Sequence, residues 1–130
     1  MDRDLLVAKA REAMERAYAP YSKFRVGAAL WGEDGTIHTG CNVENASYGL
    51  TVCAERAAVF AAVGRGVRRF LGMAVVTDGL EPVPPCGACR QVLAEFSRDM
   101  AVVSETGGVR REWTLDQLLP DPFEPESRGR

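Results

Sequence analysis

Long apolar runs are missing from this chain. No segment approaches the ~20 consecutive apolar residues that a membrane-spanning helix needs, so no such helix and no membrane partner is expected. Positive charge is not in excess either. The 16 Lys and Arg stand against 18 Asp and Glu, for a formal net charge of -2. A nucleic-acid binder shows a basic excess or a basic stripe. The one dense positive cluster, Arg65-Gly66-Val67-Arg68-Arg69, reads as a solvated loop, and no nucleic-acid partner is expected. The opening Met1-Asp2-Arg3-Asp4 lacks the apolar block of a secretory signal, so a cytoplasmic location is expected. Histidine occurs once. His38 lies in a predicted strand with no ligand motif nearby and reads as a partly exposed strand residue. There is no internal repeat and no linker. One domain over residues 1–130 is expected, with about 124–130 as a disordered tail.

What is present has strong local patterning. Leu5, Leu6, Ala10, Ala13, Met14 and Ala17 recur at helical spacing, which predicts a helix from about Asp4 to Tyr18, stopped by Pro20. Arg25 to Trp31 reads as a buried strand whose Gly27, Ala28 and Ala29 let another backbone pass closely. Gly32 to Gly35 forms a hairpin turn into a strand from Thr36 to Asn42. Val43 to Thr51 is small, polar and irregular, as suits a loop lining a site. Cys53 to Val63 is a buried helix with Gly64 as its stop, and Cys86 to about Phe96 is a second. Strands follow at Met73 to Thr77, Met100 to Ser104 and Val109 to Thr114, then a short helix or turn at Leu115 to Leu118. The tight turn at Glu105 to Gly108 makes the last two strands antiparallel. The order predicts an α/β fold, a three-layer α-β-α sandwich around a mixed five-stranded sheet.

Four cysteines in a cytosolic chain point to metal or catalysis before disulfides. Cys53-Ala54-Glu55 and Pro85-Cys86-Gly87-Ala88-Cys89 together offer three thiols and a carboxylate. Three thiolates can hold zinc and leave a fourth position for water, and a nearby carboxylate can move that water's protons. Both motifs begin predicted helices, where unpaired N–H groups and the helix dipole favour thiolate. Pro85 fits the first turn of its helix, and Arg56 is placed to offset the negative charge. A closed four-cysteine site using Cys41 is the competing arrangement. Such sites bring two close-spaced pairs, whereas this chain has one, and Cys41 reads as a buried, inert strand residue.

Longer motifs surround these residues. Tyr18-Ala19-Pro20-Tyr21-Ser22-Lys23-Phe24, Gly40 to Tyr48, Thr51 to Arg56, Pro85 to Gln91 and Leu118-Leu119-Pro120 with Phe123 occur in the order found in the small homotetrameric class of cytidine deaminases, which the chain resembles over nearly its whole length. The resemblance implies a cytidine deaminase-like fold and one zinc per subunit on Cys53, Cys86 and Cys89. It implies hydrolysis of the C4 amine of cytidine and 2′-deoxycytidine in pyrimidine salvage, with Glu55 relaying protons. It places Phe24 against the base, Asn42 and Glu44 on the ribose 3′-hydroxyl, and backbone groups of Ala54 on the amide edge of the base. Asn45 belongs to the same substrate loop. Arg56 would moderate the thiolates, with Gln91 assisting. Neighbouring subunits of a homotetramer would complete each site through Ala46, Tyr48 and Phe123.

Two other functions are weighed. One is deamination of a related amine, such as a blasticidin-type nucleoside or a base within nucleic acid. The other is a non-catalytic binding module stabilised by four cysteines around zinc.

Overall fold

Asp2 starts the first helix. Its side chain accepts from the Leu5 N–H at 3.0 Å, an N-cap that satisfies one of the free first-turn donors. The structure, a computed structural model, describes residues 1–125. Helix α1 spans Arg3–Met14 and buries Leu6, Val7, Ala10, Ala13 and Met14. It stops short of Tyr18 because the Tyr18 backbone is engaged elsewhere. Its N–H donates to the Asn42 carbonyl and its carbonyl accepts from the Glu44 N–H, each at 2.9 Å.

Five strands form one mixed sheet: β1 (Val26–Gly32), β2 (Ile37–Cys41), β3 (Phe70–Thr77), β4 (Ala101–Thr106) and β5 (Val109–Thr114). Their order is β2-β1-β3-β4-β5, with β3 and β4 parallel and every other pair antiparallel. β3 begins at Phe70, earlier than the sequence predicts, because its ladder with β1 continues past a register shift to pair Phe70 with Gly32. Helices α2 (Ala54–Gly64) and α3 (Gly87–Ala94) connect β2 to β3 and β3 to β4, and α4 (Leu115–Leu118) follows β5. A 3₁₀ turn at Tyr48–Leu50 interrupts the loop after β2.

The sandwich has the three expected layers. Helix α1 packs Leu6, Val7, Ala10 and Met14 on Ala29, Ala74, Val76 and Val103. The opposite face of the sheet, through Ala28, Leu30, Met73, Val75 and Val102, meets α2, α3 and Leu115 of α4. Fully burying a side chain such as Leu6, Leu30 or Leu93 is worth about 1.5–3 kcal/mol. Two glycines set how closely the layers approach. A Cβ on Gly27 would lie 2.0 Å from the Ala10 carbonyl oxygen, and one on Gly40 would lie 2.5 Å from the Ala58 nitrogen. The close backbone approach expected over β1 is therefore made by α1, and β2 admits α2 in the same way.

Two strand residues differ from expectation. His38 is buried at 7% exposure rather than partly exposed, because it shares the face of β2 with Gly40 and lies beneath α2. Its ring nitrogen Nε2 is 2.7 Å from the Thr36 hydroxyl. Cys41 is half-buried rather than buried. It pairs with Gly27, so it sits on the α1 face of the sheet. The tail expected over 124–130 falls at 126–130 outside the described residues. Glu124 is described and pairs with Arg98 at 3.4 Å.

Candidate active site

Two helix starts build the site. Cys53 is the N-cap of α2 and Cys86 the N-cap of α3, and neither spends its side chain on a capping hydrogen bond. Cys89 lies in the first turn of α3 and is fully buried. Both sulfur-bearing turns therefore present free N–H groups and the positive ends of helix dipoles. Pro85 stands one residue before the cap rather than in the first turn, since α3 begins at Gly87. Its carbonyl accepts from Arg90 Nε at 2.7 Å.

The three sulfurs lie within 4.8 Å of one another, and they form the one cluster of potential ligands among the described residues. Cys53 and Cys86 are 3.9 Å apart, and Cys86 and Cys89 are 3.4 Å apart. A tetrahedral zinc with Zn–S bonds of about 2.3 Å sets its sulfurs about 3.8 Å apart. The cluster fits a zinc site with one coordination position left for a non-protein ligand. Cys41 is outside it, on the other face of the sheet, so a closed four-cysteine site is not formed.

Charge is arranged around the sulfurs. Arg56 Nη2 donates to Cys53 Sγ at 3.3 Å, and its Nε is buried without a hydrogen-bond partner. A hydrogen bond from Cys89, then the Arg56 guanidinium, bring the Cys53 thiol down to about 5 against the effect of burial. Cys89 moves the other way, above the ordinary thiol range, because it holds the proton shared with Cys53 and is buried. Glu55 is 6% exposed and outside the ligand cluster. Burial pushes its carboxyl up to about 7, and the Cys53 thiolate adds to that rise. A carboxyl so poised can both take and give a proton near neutral pH.

The second loop expected at the site is ordered by its own side chains. Glu44 accepts from the Tyr21 N–H at 2.9 Å, the Ser22 N–H at 3.1 Å and the Ser22 hydroxyl. The Ser22 hydroxyl is the main reason its carboxyl sits below the ordinary value. Asn42 is buried; its Oδ1 accepts from the Val26 N–H at 2.9 Å and its Nδ2 donates to the Phe24 carbonyl at 2.8 Å. Asn45 is exposed and closes a local turn by accepting from the Ser47 N–H. Ala46 is exposed, and Tyr48 at 74% exposure meets Tyr21 edge-on with ring centres 5.9 Å apart. Tyr21, Ser22, Glu44, Tyr48 and Thr51 line a cavity of about 350 Å³. A larger hollow of about 560 Å³ lies among Glu33, Arg65 and Arg69. It sits at the far end of the 11-residue α2, roughly 16 Å along the helix from Cys53, and is lined by no cysteine or histidine.

Ala54 is buried at the first position of α2, between Cys53 and Glu55. Phe24 is partly exposed, with its ring against Gly79. Gln91, expected to assist Arg56, is engaged by the segment after α4. It follows Cys89 by two residues, a spacing that does not share a helix face, and its amide bonds the backbone of Phe123 at both ends. Phe123 is 74% exposed. Ser22 and Arg90 are contributors that residue-by-residue reading missed. Ser22 belongs to the first motif, but only the fold brings it to Glu44, and Arg90 needed α4 in place to find the Leu118 carbonyl at 2.8 Å.

Comparison with known proteins agrees with this geometry. Residues 1–105 match the model of the cytidine and deoxycytidylate deaminase zinc-binding region. The chain is 54% identical to a cytidine deaminase of Sporosarcina psychrophila over 97% of this chain and 94% of that one. It is 46% identical to a cytidine deaminase of Mycobacterium tuberculosis over 95% of this chain and 90% of the relative. The crystal structure of cytidine deaminase from Burkholderia pseudomallei superposes with a TM-score of 0.91 at 49% identity, covering 95% of this chain and all of that one.

Proposed function

The chain belongs to the cytidine and deoxycytidylate deaminase family, and from that premise we propose that it hydrolyses cytidine and 2′-deoxycytidine to uridine and 2′-deoxyuridine with release of ammonia, in pyrimidine salvage. The observation that carries the reading is the juxtaposition of three sulfurs within 4.8 Å and a buried carboxylate that is not among them. Cys53, Cys86 and Cys89 hold the zinc. When bound, zinc supplies Lewis-acid activation of water at neutral pH.

The reaction replaces the C4 amine with the oxygen of water. Glu55 accepts one proton from that water and delivers it to ring N3; it then takes the second proton from the oxygen now on C4 and gives it to the amine, which leaves as ammonia. Arg56 keeps the thiolates paired with a cation. Backbone groups of Ala54, at the start of α2, meet the amide edge of the base, and Phe24 packs on its ring. Asn42 retains one N–H and Glu44 retains acceptor capacity beyond its three bound donors, which suits both for the ribose 3′-hydroxyl. Asn45 shapes this loop.

Exposed Tyr48 and Phe123, with Ala46, favour a homotetramer in which neighbours complete each site. Phe123 is held on a flank of α3 away from Cys89, which supports a role in a neighbouring subunit's site over one in its own. No helix among the described residues is long and apolar enough to cross a membrane, and a cytoplasmic salvage role is the one we adopt. The test is ammonia release, or loss of the substrate absorbance band, with cytidine, deoxycytidine, cytosine, blasticidin S and a single-stranded oligonucleotide. Turnover of the two free nucleosides alone supports the proposal. Turnover confined to blasticidin S or the oligonucleotide overturns it.

A further inference from the structure

Three side chains along or just beyond α3 reach the end of α4 and the segment that follows it. Arg90 Nη1 donates to the Leu118 carbonyl at 2.8 Å, and Arg98 pairs with Glu124 at 3.4 Å. Between them, Gln91 donates from Nε2 to the Phe123 carbonyl at 3.0 Å and accepts the Phe123 N–H on Oε1 at 3.1 Å. From Leu119 to Phe123 the chain has no regular secondary structure, and Pro120 and Pro122 have no N–H to donate. Such a backbone stays loose unless side chains hold it. The two hydrogen bonds from one planar amide fix both the place and the plane of the Phe123 peptide groups. The ring itself remains 74% exposed.

A fixed backbone under an exposed ring is an arrangement for presentation. We infer that Gln91 is a positioning residue that holds Phe123 out toward the nucleoside of a neighbouring subunit. The inference rests on the reading of Phe123 proposed above. Ordering the ring before the substrate arrives removes a cost that binding would otherwise carry. The effect therefore falls on KM, as expected for binding shared by ground and transition states. The segment hangs on the helix that Cys86 caps and that carries Cys89, so the presenting ring is tethered to the element bearing two of the proposed metal ligands.

The experiment compares Gln91→Met, Phe123→Ala and the double variant in the full-length protein. For each, KM and kcat with cytidine, zinc content and hydrogen exchange at the Phe123 amide are measured. Gln91→Met keeps the length of the side chain and removes both hydrogen bonds. It is expected to raise KM by about 3- to 10-fold, with zinc unchanged and faster exchange at Phe123. Gln91→Glu, which keeps the acceptor, falls between wild type and Gln91→Met. The double variant should match Phe123→Ala alone, because Gln91 acts through that ring. Multiplying effects in the double variant, loss of zinc in Gln91→Met, or an unchanged KM beside a raised KM in Phe123→Ala would each overturn the inference alone. An unchanged KM in Phe123→Ala removes the reading of Phe123 and the inference with it.

Discussion

Arg56 donates to the Cys53 sulfur at 3.3 Å, so the residue that follows the buried Glu55 carries the cation facing the thiolates. The start of α2 thereby brings together the proposed metal ligand Cys53, the proposed proton carrier Glu55 and a counter-charge. Three thiolates around Zn²⁺ leave one negative charge in excess, and Arg56 offsets it. Partners that orient metal ligands contribute about 10–100-fold in metal affinity. Arg56→Gln should weaken zinc binding by that factor in competition with a chromophoric chelator. Equal affinity in the variant would show that the guanidinium does not serve the metal site.

The two faces of the sheet separate Cys41 from the other cysteines. Cys41 pairs with Gly27 beneath α1, whereas Cys53 starts α2 on the opposite face. Cys41→Ser should keep both zinc and activity, and Cys53→Ser should lose both. Zinc analysis of the purified variants decides it, and equal zinc loss from the two would mean a closed site.

Gly40 bears on the same site through packing. An added Cβ would meet the Ala58 nitrogen at 2.5 Å and the Ala54 carbonyl oxygen at 2.6 Å, both in the backbone of α2. Backbone cannot move aside as a flexible side chain can. Gly40→Ala should destabilise by at least about 1–3 kcal/mol, read from the urea midpoint. It should also lower activity, since the shifted helix carries Cys53 and Glu55. A loss below about 0.5 kcal/mol, the scale of ordinary surface changes, would contradict the close approach.

Acid stability should depend on Glu105. It joins Arg11 of α1 at 2.7 Å and Arg110 of β5 at 2.8 Å, and Arg110 also reaches Asp4 at 2.9 Å. Hydrogen bonds from Arg11 and then Arg110 lower the Glu105 carboxyl from its ordinary value. A group lowered on folding stabilises the native state above its unfolded pKa of about 4.3 and loses that contribution as pH falls through the folded value. Glu105→Gln should therefore be less stable near neutrality and show a shallower fall below about pH 4.3. Urea unfolding across pH checks this, and parallel profiles for wild type and variant would refute it.

Local pattern made the layers of the fold legible. The apolar spacing of α1, the hairpin turn after Trp31 and the glycine in β1 each act within a few residues, and each of these elements formed, with α1 ending earlier than expected. What the pattern missed was set by distant partners. Tyr18 leaves α1 because Asn42 and Glu44 bond its backbone, and β3 starts early because Gly32 extends its ladder. His38 is buried because α2 crosses Gly40. The metal cluster was legible because each cysteine marks a helix start, a local property. The bond between Gln91 and Phe123 was not legible because the two lie 32 residues apart and Phe123 is in an irregular segment with no pattern of its own.

The most direct measurement combines zinc content and cytidine turnover in wild type and Glu55→Ala. Wild type is expected to carry one zinc per subunit and to release ammonia from cytidine. Glu55→Ala should keep its zinc and lose at least the roughly 10²–10⁴-fold that general acid–base catalysis supplies. Zinc-loaded wild type without turnover would contradict the deaminase reading, and full turnover in Glu55→Ala would contradict the assignment of Glu55 to the protons.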